Sequence, residues 1–527
     1  MTAEPPRTVD FVGGRIWTAG YAASRSLDVL MQGDRIIDVA RPGDLDVVGA
    51  EVRDLGGRLL IPGFQDAHLH PGTGGADLLG CDLAGLETPD EVYAAIGRYA
   101  AAHPELAWII GGGWNRAIFG ADGPRRHELD AVVGGRPAFI SPFDRHGAWV
   151  STAALAAAGV GQQTPDPPNG FFTRDADGVL TGMVEEAATD VIKAAMPAQA
   201  TDERVRATLR AQDHLLSFGI TSIQDALVGV GLGLSDHLDA YRELVESSRL
   251  RLRLTAALWW EPRRGVEQIP ELLVRRKRLE QTAGPERVVA DTVKLMVDGA
   301  DTVFMDEPKL REATVALDAA GFTCHYHSYG DATTHWVLDA IEAAIAENGP
   351  KQRRHHIAHL MVVTTPDFAR FAELDVTATI QPLWIDSPVP HAHLCHSTMT
   401  ADPEKREYPY ARLQQAGARL AAGSDWPVTS PDPLLAARVA ITMPSRSDVP
   451  DELDRLDLLS VLTAYTAGSA YVNGRAATTG RIAPGFLADL VVLDRDPFEG
   501  GESLHQAVVD EVWIGGRQEF RRGRILV

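Results

Sequence analysis

The feature that most narrows the fold is a rhythm. Between residues 64 and 425, eight short apolar or β-branched runs recur, at 64–70, 219–225, 252–259, 292–297, 322–327, 355–359, 376–381 and 419–425. Helix-length stretches lie between them, among them 202–217, 332–347 and 366–374. Strand and helix units repeated in this order predict an α/β fold, a parallel sheet closed into a (β/α)8 TIM barrel. One interval breaks the rhythm. About 120 residues, 80–200, separate the first run from the second, too many for a structureless loop. They are expected to form an inserted subdomain over the barrel mouth. The two ends of the chain read as short strands separated by Gly13-Gly14, Gly33-Asp34 and Gly515-Gly516. Residues 1–62 plus 481–527 are therefore expected to build one small β-sandwich-like domain, and 63–79 plus 201–480 the barrel.

In such a barrel the working side chains occupy the C-terminal strand ends. His68-Leu69-His70 closes the first run, and residues two apart on a strand project to the same face. His327 ends the fifth run, His359 the sixth and Asp425 the eighth, while Lys294 lies near the end of the fourth. Imidazole and carboxylate are ligands for divalent metals. An isolated H-x-H is a weak signal. Structural histidines, however, would not favour strand ends so consistently, which makes His68, His70, His327, His359 and Asp425 the candidate metal ligands.

Other residues take second place. His146, in the inserted segment, is expected to reach the mouth and contact the substrate or an oxyanion. Trp114 follows Gly111-Gly112-Gly113, read as a mobile turn, and is either a substrate-binding wall or ordinary packing. Trp108, Phe119, Phe143 and Trp149 hint at an apolar substrate group. Asp331 and Asp298 read as structural, Asp331 as the cap of the following helix. His325 faces the same way as His327 but deeper. His391, His393, Cys395 and His396 read as a polar loop or substrate contact rather than a second metal site. Cys81, Cys324 and Cys395 have no nucleophile partner.

Composition enters as an exclusion. Lys plus Arg number 50 against 72 Asp plus Glu, a net charge of −22. So acidic a chain is a poor partner for nucleic acid or anionic membrane surfaces. There is no apolar run of about 20 residues to span a bilayer, and the opening MTAEPPRTVD lacks a signal-peptide pattern. Three scattered cysteines fit a reducing compartment. The expectation is a cytoplasmic protein acting on a small molecule, with homodimerisation left open.

The segments PGFQDAHLH, KLMVDG, HYHSYGD, HHIAHL and AAGSDWPV, with GRIAPGFLADLVVL near the end, resemble the amidohydrolase superfamily. The likeness is to its long, insert-bearing branch, which includes N-substituted formamide deformylases. This resemblance implies that His68 and His70, with Asp425, bind one metal and that His327 and His359 bind a second. Lys294 would bridge the two as a carbamate. It implies one or two divalent ions per chain, with zinc expected, and Asp425 as the catalytic acid–base. Ala358 stands where the branch commonly carries glutamate. The implied reaction is cleavage of a C–N bond in a small amide, formamide or cyclic amide by a metal-bound hydroxide. The alternatives are ester, carbamate or dipeptide hydrolysis, deamination, or a non-catalytic binding module on the same fold.

Overall fold

The computed structural model describes residues 7–45, 48–120, 123–168, 170–197, 199–232, 234–299, 302–386, 396–401, 405–442, 455–500 and 503–523. Its central sheet has eight strands whose neighbours follow chain order. They are β1 (Phe64–Leu69), β2 (Ile220–Val228), β3 (Arg253–Trp259), β4 (Val288–Met296), β5 (Thr323–Ser328), β6 (His356–His359), β7 (Thr377–Ile380) and β8 (Arg419–Ala422). Every adjacent pair from β1 to β8 runs parallel. All eight expected strands are present, with ends shifted by a few residues.

The sheet closes into a barrel at its C-terminal rim. Just past the strand ends, Asp425 N–H donates to His68 C=O at 2.7 Å and His70 N–H to Trp426 C=O at 2.8 Å. Beside them the Asp66 carboxylate accepts the backbone N–H of His68 and both the N–H and hydroxyl of Ser424. Burial pushes the Asp66 pKa up to about 7. The seam is so tight that a Cβ at Gly423 would lie 2.7 Å from His68 N and 2.8 Å from His68 Cβ.

The period of two shows plainly on β5. Cys324 and Tyr326 belong to the apolar shell between strands and helices. His325 and His327, on the other face, meet the inward groups of β1 and the loop after β4. The shell is completed by helices such as Thr201–Ser217, through Val205 and Leu215, and Asp331–Asn348, through Val337 and Ile341. Gly349, at φ 73°, stops the latter helix. The expectation that Asp331 caps it is corrected. Gly330 holds the cap position, and the Asp331 carboxylate instead accepts the Thr400 N–H at 2.9 Å.

The two chain ends supply two further sheets. One pairs Arg35–Ala40, Asp28–Gln32, Thr8–Val12 and Glu51–Asp54 in that order. The other sets Leu59–Pro62 antiparallel to Leu490–Leu493, followed by Val509–Ile514 and Arg517–Arg521. Phe11, Met31, Leu60, Val492 and Trp513 form a common core between them.

The long segment after β1 contains a six-stranded sheet from Cys81–Asp82 to Leu180–Glu186. Its faces serve different cores: Trp149 packs with Trp114 and Ile140 on one side, Ala148 and Val150 with Phe139 and Val184 on the other. The triple glycine is not a mobile turn. Gly111 to Gly113 lie within the strand Ile109–Trp114, and a Cβ at Gly111 would sit 2.3 Å from Cys81 O. The glycines are there because two strands approach closely. Among the described residues, no helix is long and apolar enough to cross a membrane.

Candidate metal centre

Four strands bring the candidate ligands to one rim. His68 lies on β1, His327 on β5 and His359 ends β6. His70 follows β1, and Asp425 follows β8 rather than lying within it as expected. The inner layer, which in most barrels is filled by branched apolar chains, here holds His68, Lys294, His325 and His356, all buried.

His68, His359 and Asp425 each offer a ligand atom within 4.8 Å of the other two. His70 Nε2 joins them, 3.3 Å from Asp425 Oδ1, the same distance as His68 Nε2. His327 lies alongside, its ring centroid 4.4 Å from that of His359. The tightest three-residue group thus contains His359 rather than His70. Both ring nitrogens of His359 are buried without a hydrogen-bond partner, as is Nδ1 of His70. A buried imidazole with two unpaired nitrogens is costly; a cation would satisfy one of them.

The protonation states suit that role. Burial, followed by the positive charge of Lys294, drives the His68 and His327 pKa values well below normal, and burial with His327 does the same for His359. All three imidazoles are neutral, the form that ligates. Burial alone would raise the Asp425 pKa, but the His70 hydrogen bond and the neighbouring His359 and Lys294 hold it below the usual value. Asp425 is therefore a carboxylate. Lys294, opposite His325 in the β4–β5 register, is pushed down to about 7 by burial, against the pull of Asp425 and Asp298.

The ligands are aimed by strained backbone. His359 (φ 80°), Leu360 (φ 49°) and Asp425 (φ 55°) adopt the left-handed region, at a cost of about 1–3 kcal/mol each. Hydrogen bonds hold them there. Gln381 Oε1 accepts the His359 N–H at 2.8 Å, Tyr410 donates to His359 C=O at 3.1 Å, and Asp425 N–H is tied to β1. The His359 ring also stacks on Trp384, 4.7 Å between centroids and 20° between planes.

Two supports lie outside the expected ligand set. Asp298, read as structural, also orients a ligand. It accepts the N–H groups of Tyr329 and Gly330 and faces His327 Nδ1 at 3.1 Å. That contact fixes a proton on Nδ1 and leaves Nε2 free to ligate. Its position just past β4 was the available signal. His325 links His68 Nδ1, at 2.8 Å, to Gln224, which also reaches His356.

The remaining expectations divide. His146 does reach the rim, with Nε2 3.3 Å from the Tyr329 hydroxyl and Nδ1 2.9 Å from Glu186 Oε1. Trp114 is corrected: it is fully buried in the core of the inserted sheet, its indole donating to Ile140 C=O at 3.1 Å. Trp108, Phe119 and Trp149 also pack into the cores of that segment, while Phe143 is partly buried and belongs to neither core. Burial raises the Cys81 and Cys324 thiols to about 12, so neither is a thiolate. His391, His393, Cys395 and the His396 side chain lie outside the described residues.

Comparison with known proteins agrees with this geometry. A family model described as "Amidohydrolase family" matches residues 51–520. The chain is 28% identical to Protein LONG AFTER FAR-RED 3 of Arabidopsis thaliana over 497 residues, 89% of this chain and 83% of that protein. It is 25% identical to N-substituted formamide deformylase of Arthrobacter pascens, covering 98% of this chain and 99% of that one. A crystal structure of a metal-dependent hydrolase from Pyrococcus horikoshii OT3 superposes with a TM-score of 0.71 at 22% identity, covering 95% of this chain and 99% of the other.

Proposed function

This chain belongs to the amidohydrolase family; from that premise we propose that it is a metal-dependent hydrolase that cleaves the C–N bond of a small amide, formamide or cyclic amide. The observation that carries the reading is the buried group of His68, His359 and Asp425, with two unpartnered nitrogens on His359. Neutral imidazoles beside a carboxylate fit a divalent cation, zinc being the expected one. His68, His70, His327, His359 and Asp425 would hold one or two such ions. When bound, a divalent cation polarises a carbonyl and lowers the pKa of water from 15.7 to about 7.

The chain's own part is proton handling. The Asp425 carboxylate, held by His68 and His70, takes a proton from the attacking water and delivers it to the leaving nitrogen. That delivery matters most for an amide, because an amine anion is a poor leaving group. The similarity to N-substituted formamide deformylase along nearly the whole chain supports formamides as the first substrates to try.

The test is a panel of N-substituted formamides, simple amides, cyclic amides, esters, carbamates, dipeptides and amino-heterocycles, offered to protein loaded with zinc or manganese. Release of amine from a formamide or amide is expected. Turnover of esters alone would transfer the reading to an esterase, and release of ammonia from a heterocycle to a deaminase. No turnover of any member would favour a binding module.

Lys294 is assigned a bridging role. Only the neutral amine adds CO2, and a pKa of about 7 makes that form abundant near neutral pH. The expected result for Lys294→Ala is a fall in bound metal from about two ions per chain to about one, the two-ion case being that of paired-metal hydrolases. Elemental analysis with and without added bicarbonate reads this. Equal metal content in the variant and the parent would remove the bridge.

A further inference from the structure

We propose that Tyr329 donates a hydrogen bond to the oxygen of the scissile carbonyl, and that Glu186 and His146 of the inserted segment set the direction of that hydrogen bond. The proposal rests on the hydrolase reading above and adds to it a donor for the charge that builds on oxygen.

Position is the first argument. Tyr329 lies two residues past His327, buried, with its ring centroid 4.2 Å from His327 and 5.1 Å from His359. Its backbone is anchored where the ligands are anchored. Its N–H donates to both oxygens of Asp298 at 2.9 and 3.0 Å, and its C=O accepts the Val362 N–H at 2.9 Å. The phenol therefore sits at the edge of the metal centre on a fixed stem.

The second argument is proton direction. Glu186 Oε1 is 2.9 Å from His146 Nδ1, and His146 Nε2 is 3.3 Å from the Tyr329 hydroxyl. The carboxylate keeps a proton on Nδ1. A second proton on Nε2 makes the imidazole a donor to the phenol oxygen, and the phenol must then point its own hydrogen elsewhere, which leaves it available to a substrate oxygen. Burial would lower the His146 pKa, but Glu186 and Asp144 hold it at about 9, so the doubly protonated form is present at neutral pH.

The third argument is the construction of the pair. Glu186 ends its strand at φ 49°, and Arg145, just before His146, has φ 65°. Both are non-glycine residues in the left-handed region, which collects at functional sites. The loop is clamped on both sides. His146 N–H donates to Asp144 Oδ1 at 3.0 Å, Asp144 pairs with Arg116 at 2.7 Å, and the Arg145 guanidinium pairs with Asp77 on the helix after β1. Mere attachment of the inserted segment would not need a partly buried Glu–His pair ending on a tyrosine hydroxyl.

In the reaction, the carbonyl π electrons move to oxygen as water adds to carbon, and the phenol O–H stabilises that oxygen without transferring its proton. One donor of this kind is worth about 10²–10³-fold in kcat. The test uses Tyr329→Phe, His146→Gln and their double variant on the best-cleaved panel substrate, with metal content measured in each. The expected result is a loss of about 10²-fold or more in kcat for Tyr329→Phe, with KM and metal content little changed. His146→Gln is expected to cost less alone and nothing further in the Tyr329→Phe background. Independent, multiplying losses would mean that His146 serves only structure. A kcat within about threefold of the parent for Tyr329→Phe would overturn the proposal. A second readout needs no substrate. Methylphosphonate, a tetrahedral oxyanion, is expected to bind the zinc-loaded Tyr329→Phe variant about tenfold or more weakly than the parent, the scale of one charge-assisted hydrogen bond. Equal binding would overturn the donor role even if the parent cleaves nothing in the panel, and a failed panel with weakened binding would instead sink the amide reading alone.

Discussion

Asp425→Asn is expected to lower turnover of a cleavable amide by about 10³-fold, within the 10²–10⁴ range of a lost general acid–base. The substitution is chosen for the backbone as much as for the charge. Asp425 sits at φ 55°, where asparagine is tolerated better than alanine. Its N–H can keep the bond to His68 C=O that helps close the barrel. The side-chain amide keeps an oxygen for the neighbouring His68 and His70 but can no longer accept a proton. The fold is therefore expected to survive, as read by circular dichroism and the unfolding temperature, while amine release falls by that factor. If amine release stayed within about threefold of the parent, Asp425 would have no part in proton transfer.

His359→Asn is expected to cost the protein both its metal and its activity. The parent buries two imidazole nitrogens there with no partner, and the residue holds a left-handed backbone at φ 80° that asparagine also accepts. The parent's stability should respond strongly to the ion. Free metal at 1,000 times its Kd adds about 4 kcal/mol. Chelation should lower the parent's unfolding temperature and abolish hydrolysis, and zinc or manganese should restore both. In the variant, added metal is expected to shift the unfolding temperature little, and metal content to fall by at least about half, the loss of one ion from a two-ion site. An unfolding temperature indifferent to chelator in the parent would remove metal from this site altogether.

The barrel was legible because its signals are local. Each strand is a short apolar run, and β5 shows why the site could be read from it: Cys324 and Tyr326 turn into the shell while His325 and His327 turn in. Strand alternation is a property of neighbouring residues, so the inward position of the histidines needed no knowledge of the rest. The same holds for His68, while His70 lies just past the end of β1. Local reasoning failed at Trp114, because a glycine run has two opposite uses. It serves as a turn, or it permits the close packing of two strands, and only the neighbour Cys81 decides between them. It failed also at Asp298, whose role depends on a histidine on another strand.

What the sequence alone determined, then, was the order of strand and helix and the chemical types at the strand ends, because both follow from the periodicity of adjacent residues. What only the tertiary structure decided was which of those side chains converge and what aims them. His359 closes on His68 and Asp425 through a left-handed turn. His146, held by Glu186, meets Tyr329 across a sequence separation of 183 residues. Such contacts depend on the path of the long segment between β1 and β2, and a path of that kind is set by packing between distant residues, which leaves no periodic mark in the chain.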